Sequence, residues 1–162
     1  MKTRKGFTLI EVLIYSAILA VFLGAAFSFI ASILGTTDNL LERNEVLATA
    51  EFLEGKLGWL TSLSTGVTAP AQNASSTVLG MTLGNQTMSP AIVSLDGTAI
   101  KLSLAGGPAV PLTNGRVETT AFEIEHFSAS SSPAQIKVYL SLRSAVYSNV
   151  VATTTFFYVL PR

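Results

Sequence analysis

The N-terminal part of the chain consists, after a few polar residues, of a long apolar run. From Phe7 to Leu34 the sequence has no proline and one formal charge, the carboxylate of Glu11. At a rise of 1.5 Å per residue, a helix over this run is about 42 Å long, which exceeds the roughly 30 Å hydrocarbon core of a bilayer. The run therefore predicts a membrane-spanning helix. Several of its residues are small enough for close packing against other helices: Ala17, Ala20, Gly24, Ala25 and Ala26.

Apolar positions continue at helical spacing beyond Gly35, now separated by polar residues. The main stripe advances in steps of four and three, which is the spacing of one helix face: Val46, Ala50, Leu53, Leu57 and Leu60. A second stripe lies beside it: Phe52, Trp59 and Leu63. We expect one continuous helix from Phe7 to about Leu63, whose second half, residues 36–63, is amphipathic and packs against a domain. The alternative is a break at residues 36–39 that leaves an independent amphipathic helix after a flexible joint.

The remainder of the chain, residues 64–162, has the short alternating runs of β-strands. Ser64–Ser76 is rich in small and polar residues and contains Pro70, which predicts a loop. The Asp96-Gly97 pair between two apolar runs indicates a hairpin. The expected strands are Thr77–Leu83, Ala91–Leu95, Thr98–Leu104, Val117–Phe127, Ala134–Leu142 and Thr153–Leu160. Because one face of a sheet must be covered, we expect an α+β fold in which the long N-terminal helix packs on one antiparallel β-sheet.

A basic leader precedes the apolar run and ends at a glycine. Lys2, Arg4 and Lys5 should remain on the cytoplasmic side of the membrane. Glu11 is expected inside the apolar helix, where a charge without a partner is costly, and the nearest basic residue on this chain is Lys5. We therefore infer that a cation comes from elsewhere. The simplest source is a new α-amino group, made by cleavage after Gly6 and offered by a neighbouring subunit.

The residues GFTLIEVLI, from Gly6 to Ile14, closely resemble the processing site of type IV prepilins and type II secretion pseudopilins. The resemblance implies that a prepilin peptidase, which is also an N-methyltransferase, cuts after Gly6 and methylates Phe7. It also implies that Glu11, the fifth residue of the mature chain, is the assembly charge. The implied pilin-like organisation is a leader peptide (1–6), a transmembrane assembly half of the helix (7–35), an amphipathic half (36–63) and an extracytoplasmic β-sheet domain (64–162). The alternative is a plain signal anchor that carries an acidic residue by chance.

Net charge and cysteine content reduce the number of functions that the sequence allows. The formal net charge is zero, with 10 basic and 10 acidic residues. Removal of residues 1–6 would take away three basic groups and leave a charge of −3. No strongly basic surface is then expected, so a nucleic-acid site is not indicated. The absence of cysteine excludes disulfides and thiolate metal sites. Many major pilins have a C-terminal disulfide, so the composition fits a minor pilin or pseudopilin at least as well.

Few residues of the sheet region suggest chemistry. His126 is the sole histidine and follows Glu123 and Glu125, but neighbouring strand residues point to opposite faces, so we expect no metal site there. Ser130–Ser132 have no base partner other than that histidine. The Gly106-Gly107 pair precedes a proline instead of a helix, which is unlike a phosphate-binding loop. We therefore expect no enzyme activity and no cofactor.

An acidic cluster follows the apolar run, with two basic residues, Arg43 and Lys56, nearby. Its members are Asp38, Glu42, Glu45, Glu51 and Glu54. The four glutamates are expected mainly off the apolar stripe. One interpretation is a solvated helix face. The other is that these carboxylates set the register against basic patches of neighbouring subunits in a fibre.

These features predict a structural, minor subunit of a type IV pilus or of a type II secretion pseudopilus. The segment from Pro111 to Phe127, followed by two strands, looks like the group of the type II secretion J subunit and the W-type minor pilins. The expected partners are prepilin peptidase/N-methyltransferase, other pilin or pseudopilin subunits, an inner-membrane assembly platform and membrane lipid. The expected location is the bacterial inner (cytoplasmic) membrane, single-pass, with the C-terminal domain outside the cytoplasm, and afterwards the filament. The alternative is a membrane-anchored or secreted binding module, either uncut or cut near Ala26–Ser28.

Overall fold

The computed structural model describes residues 8–127 and 134–160 of the 162-residue chain. This part of the chain forms one helix, α1 (Leu9–Ser62), and then strands β1 (Ser64–Ala69), β2 (Ser75–Ser76), β3 (Val78–Leu83), β4 (Ala91–Asp96), β5 (Ala99–Leu104), β6 (Val110–Pro111), β7 (Val117–Phe127), β8 (Gln135–Ser144) and β9 (Val151–Val159). The predicted α+β fold, with a long N-terminal helix packed against antiparallel strands, is confirmed. The chain divides into two compact units, residues 1–40 and residues 41–162.

The first unit consists of the N-terminal part of α1. Its apolar side chains are exposed along the whole run, from Leu9 at 81% to Leu34 at 61%. The helix is long and apolar enough to cross a membrane. It continues through residues 36–39, so the alternative of a break there is wrong. Two polar side chains in this stretch bond back to the preceding turn, Thr37 Oγ1 to the Ile33 carbonyl and Asn39 Nδ2 to the Gly35 carbonyl, both at 3.0 Å.

The second unit contains the remainder of α1 and the strands. The predicted main stripe of the helix is buried: Val46, Ala50, Leu53, Leu57 and Leu60. It joins side chains from both sheets in one hydrophobic core. The second stripe is not part of this core, since Phe52 remains 53% exposed and Trp59 39%. Lys56 Nζ instead lies 4.2 Å from the centroid of the Trp59 ring.

The strands form two antiparallel sheets instead of the single sheet expected. One has the order β1-β3-β4-β5-β6 and the other the order β2-β7-β8-β9. All six predicted strands are present. The hairpin between β4 and β5 is also present, but its loop is Gly97-Thr98, one residue later than predicted, because Asp96 pairs with Ala99. Gly97 has a φ of +63°, a conformation that glycine adopts without steric cost.

The predicted loop Ser64–Ser76 was wrong, because it contains β1 and β2. Strand β1 pairs with β3 through two irregularities of register, and β2 pairs with β7 through two residues. A further two-residue strand, β6, contains Pro111 and lies outside the predicted strands. The three segments are short or irregular and carry weak alternation. Their strand conformation depends on backbone pairing with β3, β7 and β5 instead of on a local pattern.

Strand β9 is attached to the helix by its inward-facing side chains. Tyr158 Oη donates a hydrogen bond of 2.8 Å to the Glu54 carbonyl. Burial of the phenol, with the negative charge of Glu54 as a smaller cause, raises the pKa of Tyr158 to about 12. Gly58 allows the close approach, since a Cβ there would lie 3.3 Å from Tyr158 Cε1.

One member of the acidic cluster, Glu42, is buried at the edge of the hydrophobic core instead of lying on a solvated face. It is 4% exposed and continues the buried stripe one turn before Val46. Ser144 Oγ donates to Glu42 Oε2 at 2.7 Å, and the Arg116 guanidinium donates to Glu42 Oε1. The predicted position of Glu42 off the stripe was therefore wrong. Other members of the cluster are exposed: Asp38, Glu51 and Glu54.

Glu45 extends this network at the surface. Arg116 Nε lies 3.3 Å from Glu45 Oε2, and Asn114 Nδ2 donates to Glu45 Oε1 at 2.8 Å. Two helix carboxylates thus hold the start of β7, while Ser144 connects Glu42 to the end of β8. The network fixes residues 42–45 of the helix against the sheet that contains these strands.

We expect this network to make the free energy of unfolding depend on pH in the acidic range. The hydrogen bond from Ser144, and then that from Arg116, lower the pKa of Glu42 from its ordinary value of 4.5. The folded state therefore binds this proton more weakly than the unfolded state. The stabilising contribution is present above about pH 4.5 and is lost as the pH falls through the lowered pKa. Thermal unfolding between pH 7 and pH 3 should show a shallower acid-dependent decline in Glu42→Gln than in wild type.

Asp96→Asn is the matched control for this measurement. The Asp96 pKa is also lowered, by its 2.5 Å hydrogen bond from Lys101, but the Asp96 side chain is 67% exposed. Surface ion pairs of this kind contribute little to stability. Glu42→Gln and wild type would have parallel declines if the network did not contribute.

Candidate functional site

The candidate site is the N-terminal segment that was predicted to be processed and assembled. Five of its predicted residues lie outside the described residues: Lys2, Arg4, Lys5, Gly6 and Phe7. Glu11 is described, and so is the apolar helix that follows it. The geometry of the site can therefore be described from Thr8 onward.

Glu11 lies in the first turn of α1, not deep within the apolar helix. The Thr8 backbone N–H donates to Glu11 Oε2 at 2.8 Å, and the Thr8 hydroxyl donates to the same oxygen at 2.9 Å. The Glu11 backbone N–H donates in turn to Thr8 Oγ1 at 3.3 Å. These reciprocal bonds form a capping box, in which the residue before the helix and the third helical residue satisfy each other's backbone donors.

The capping box places the Glu11 charge at a favourable end of the helix. A carboxylate in the first helical turn interacts favourably with the positive end of the helix dipole and with its free N–H groups. The charge thus has local stabilisation in addition to any cation from another subunit. The sequence carries a signal for this arrangement, a threonine followed three residues later by a glutamate at the start of an apolar run. The prediction of a charge without a local partner overlooked this signal.

The helix after Glu11 presents a continuous apolar surface. A shallow depression on it is lined by Ala17, Ile18, Val21, Phe22 and Ala25. Two of these residues are alanines from the set of small residues predicted to allow close packing. Membrane helices associate through close packing, and a surface on which bulky side chains lie beside small ones allows such packing. The surface suits burial in lipid or against like helices.

Residues of the sheet domain that could suggest chemistry have structural partners. His126 is half-buried, and its Nδ1 lies 3.1 Å from the Pro70 carbonyl. Lys137 Nζ donates to Glu125 Oε2 at 2.8 Å. Within residues 8–127 and 134–160, no group of three or more histidine and acidic side chains is arranged to hold a metal ion. Ser130–Ser132 lie outside the described residues.

Comparison with known proteins identifies the N-terminal segment. Residues 1–27 match the family described as the prokaryotic N-terminal methylation motif. No curated protein and no solved structure is significantly similar to the chain. The match covers the basic leader, Gly6, Phe7, the capping box and most of the apolar run. The chain therefore carries the prokaryotic N-terminal methylation motif at the start of a long apolar helix, which is consistent with the type IV prepilin and pseudopilin family.

Proposed function

We propose that this protein is a minor structural subunit of a type IV pilus or a type II secretion pseudopilus. The proposal depends chiefly on the methylation motif at residues 1–27, which continues directly into an exposed apolar helix. The motif indicates a type IV pilin-like protein that is processed by prepilin peptidase. The lack of cysteine and the short loops of the sheet domain favour a minor subunit over a major one.

Processing is proposed at the junction between the leader and the apolar run. Prepilin peptidase cuts after Gly6, and its N-methyltransferase activity methylates the new α-amino group of Phe7. A glycine before the cut suits the close approach of an enzyme to the backbone. Thr8 then becomes the second residue of the mature chain and Glu11 the fifth, so the capping box lies directly beside the new amine in sequence.

Before assembly, the protein is proposed to be a single-pass protein of the bacterial inner membrane. Lys2, Arg4 and Lys5 remain in the cytoplasm, and residues 64–162 lie outside it. The exposed apolar helix supports membrane anchoring. An inner-membrane assembly platform then transfers the subunit into the filament.

Assembly is proposed to bury the apolar helix among the helices of other subunits. Leaving lipid gains little hydrophobic free energy, because lipid tails are as apolar as the side chains. Close packing and polar pairs must therefore select the register. The capped Glu11 carboxylate accepts a hydrogen bond from the methylated ammonium of Phe7 of a neighbouring subunit, and this ion pair between subunits contributes to the choice of register.

The mature N-terminus is the direct test of this proposal. Mass spectrometry of the protein from its native host should show N-methyl-Phe7 as the first residue. A mature chain that starts near Phe29 would support the secreted binding module instead. An N-terminus at Met1 would support an uncut anchor.

Two glycine variants provide a matched comparison. Gly6→Val should block processing, because the new side chain obstructs the backbone at the cleavage site. Gly24→Ala should be processed normally, since a Cβ at Gly24 meets no atom within 4 Å. Normal cleavage of Gly6→Val would contradict the proposed site.

A further inference from the structure

The sheets of this protein have edges of very different character. An exposed strand edge presents unpaired N–H and C=O groups, and proteins usually shorten, bend or interrupt such edges to prevent pairing with other chains. Strands β2 and β6 have only two residues each, and β6 contains Pro111. Strand β1 has two irregularities of register. These three edges are therefore poor templates for another strand.

The fourth edge, β9, has none of these protections. It runs nine residues, VATTTFFYV, with no charge and no proline. Its pairing with β8 is unbroken from Val151 to Val159, without a bulge. Among the described residues, no strand pairs with its other edge. Such an edge is a ready site for strand addition.

The register shows which backbone groups of β9 are available. Leu160 N–H donates to the Ala134 carbonyl, and Ser144 N–H donates to the Val150 carbonyl. In an antiparallel pair, the hydrogen bonds to one neighbour come from alternate residues. The even-numbered residues of β9 therefore bond to β8, and the odd-numbered ones direct their N–H and C=O groups outward: Val151, Thr153, Thr155, Phe157 and Val159.

The same five residues also have exposed side chains. Phe157 is 67% exposed and Val159 60%. The charges beside them on β8 are already neutralised, since Lys137 pairs with Glu125 at 2.8 Å and Arg143 with Glu118 at 2.5 Å. The edge therefore offers uncharged, β-branched and aromatic residues to whatever strand pairs with it.

We propose that β9 pairs antiparallel with β9 of a second copy of this chain, about a two-fold axis at Thr155. The edge is self-complementary in that register: Val151 lies opposite Val159, and Thr153 lies opposite Phe157. No like charges meet, and each pair joins residues that favour strands. The two four-stranded sheets become one continuous sheet. This pairing involves residues 151–159 alone and does not depend on the proposed assembly through the N-terminal helix.

Single cysteines test the register, because the natural chain contains none. Thr155→Cys in the full-length protein, purified in detergent, should form an intermolecular disulfide under mild oxidation. The Cα atoms of residues directly opposite each other are about 5.5 Å apart, which suits a disulfide. Thr82→Cys, an exposed strand threonine on β3, is the matched control. We expect at least about fivefold more disulfide dimer from Thr155→Cys.

Mixing two single-cysteine variants distinguishes the proposed strand pairing from random contact between chains in a detergent micelle. Val151→Cys and Val159→Cys should each cross-link weakly alone and strongly when mixed, because the two-fold axis places residue 151 opposite residue 159. Equal cross-linking of Thr155→Cys and Thr82→Cys would overturn the proposal. So would a mixture of Val151→Cys and Val159→Cys that cross-links no better than either variant alone.

Introducing opposite charges at the two-fold axis in two separate variants provides an independent test. Thr155→Lys and Thr155→Glu should each weaken dimer formation by about fivefold or more, because like charges then lie directly opposite each other. Mixing the two variants should restore it. Sedimentation equilibrium measures the affinity, and circular dichroism checks the fold. Unchanged affinity in correctly folded Thr155→Lys would overturn the pairing.

Discussion

Replacing Glu11 with valine is expected to reduce incorporation into filaments by about tenfold or more, because the proposed pair with the ammonium of a neighbouring subunit would lose its carboxylate in an apolar environment. Membrane insertion should continue, since the helix becomes more apolar, and cleavage after Gly6 should continue as well. The measurement compares the amount of the variant in sheared filaments with its amount in the membrane fraction. Filament levels equal to those of wild type would contradict the charge pairing.

Two further variants separate the charge of Glu11 from its capping role. Glu11→Gln keeps an oxygen that can accept from the Thr8 backbone N–H but removes the charge. Thr8→Ala removes the hydroxyl that bonds to Glu11 Oε2 at 2.9 Å and keeps the charge. We expect Glu11→Gln to assemble nearly as poorly as Glu11→Val, and Thr8→Ala to assemble better than either. Normal assembly of Glu11→Gln would mean that the cap alone is required.

Truncation of Leu57 to alanine is expected to have the largest effect on stability. Leu57 is 1% exposed and belongs to the buried stripe of α1. Leucine-to-alanine changes in a packed core cost about 2–5 kcal/mol, because they remove apolar contact and leave a cavity. For a domain of this size the melting temperature should fall by about 10 °C or more. The measurement is thermal unfolding of the full-length protein, followed by the β-sheet signal in circular dichroism.

Leu47→Ala is the matched control, because Leu47 is on the same helix and is 42% exposed. Its melting temperature should change little. The comparison shows whether residues 41–62 are part of the core that stabilises the strands. Equal, small effects of Leu57→Ala and Leu47→Ala would favour an independent helix in solution.

Prediction from the sequence succeeded where burial leaves a local pattern. The stripe from Val46 to Leu60 repeats every three or four residues, and the long strands alternate every two. These periods follow from the geometry of the elements, so they predict both the element and its buried face. The methylation motif was recognised for a similar reason, since its residues are contiguous. The capping box could also have been predicted from the sequence, because the three-residue spacing from Thr8 to Glu11 is a local signal.

Prediction failed where a residue or segment depends on a partner outside its own local pattern. Glu42 has the position of a core residue and the chemistry of a surface residue, and its polarity alone suggested a solvated face. Arg116 and Ser144, 74 and 102 residues further along, make its burial possible. Strands β1, β2 and β6 are too short or irregular to have a recognisable period, and they became strands because β3, β7 and β5 provide backbone partners.

The order of residues was enough to establish an apolar helix with a processing motif, followed by a β-rich region, because these features depend on neighbours within a few positions. Folding in three dimensions decided that the strands divide into two sheets, that Glu42 connects the helix to β7 and β8, and that β9 has an unprotected edge. Each of these depends on which strand lies beside which. Backbone pairing between strands, together with the core that both sheets share, determines that arrangement, and no local spacing encodes it.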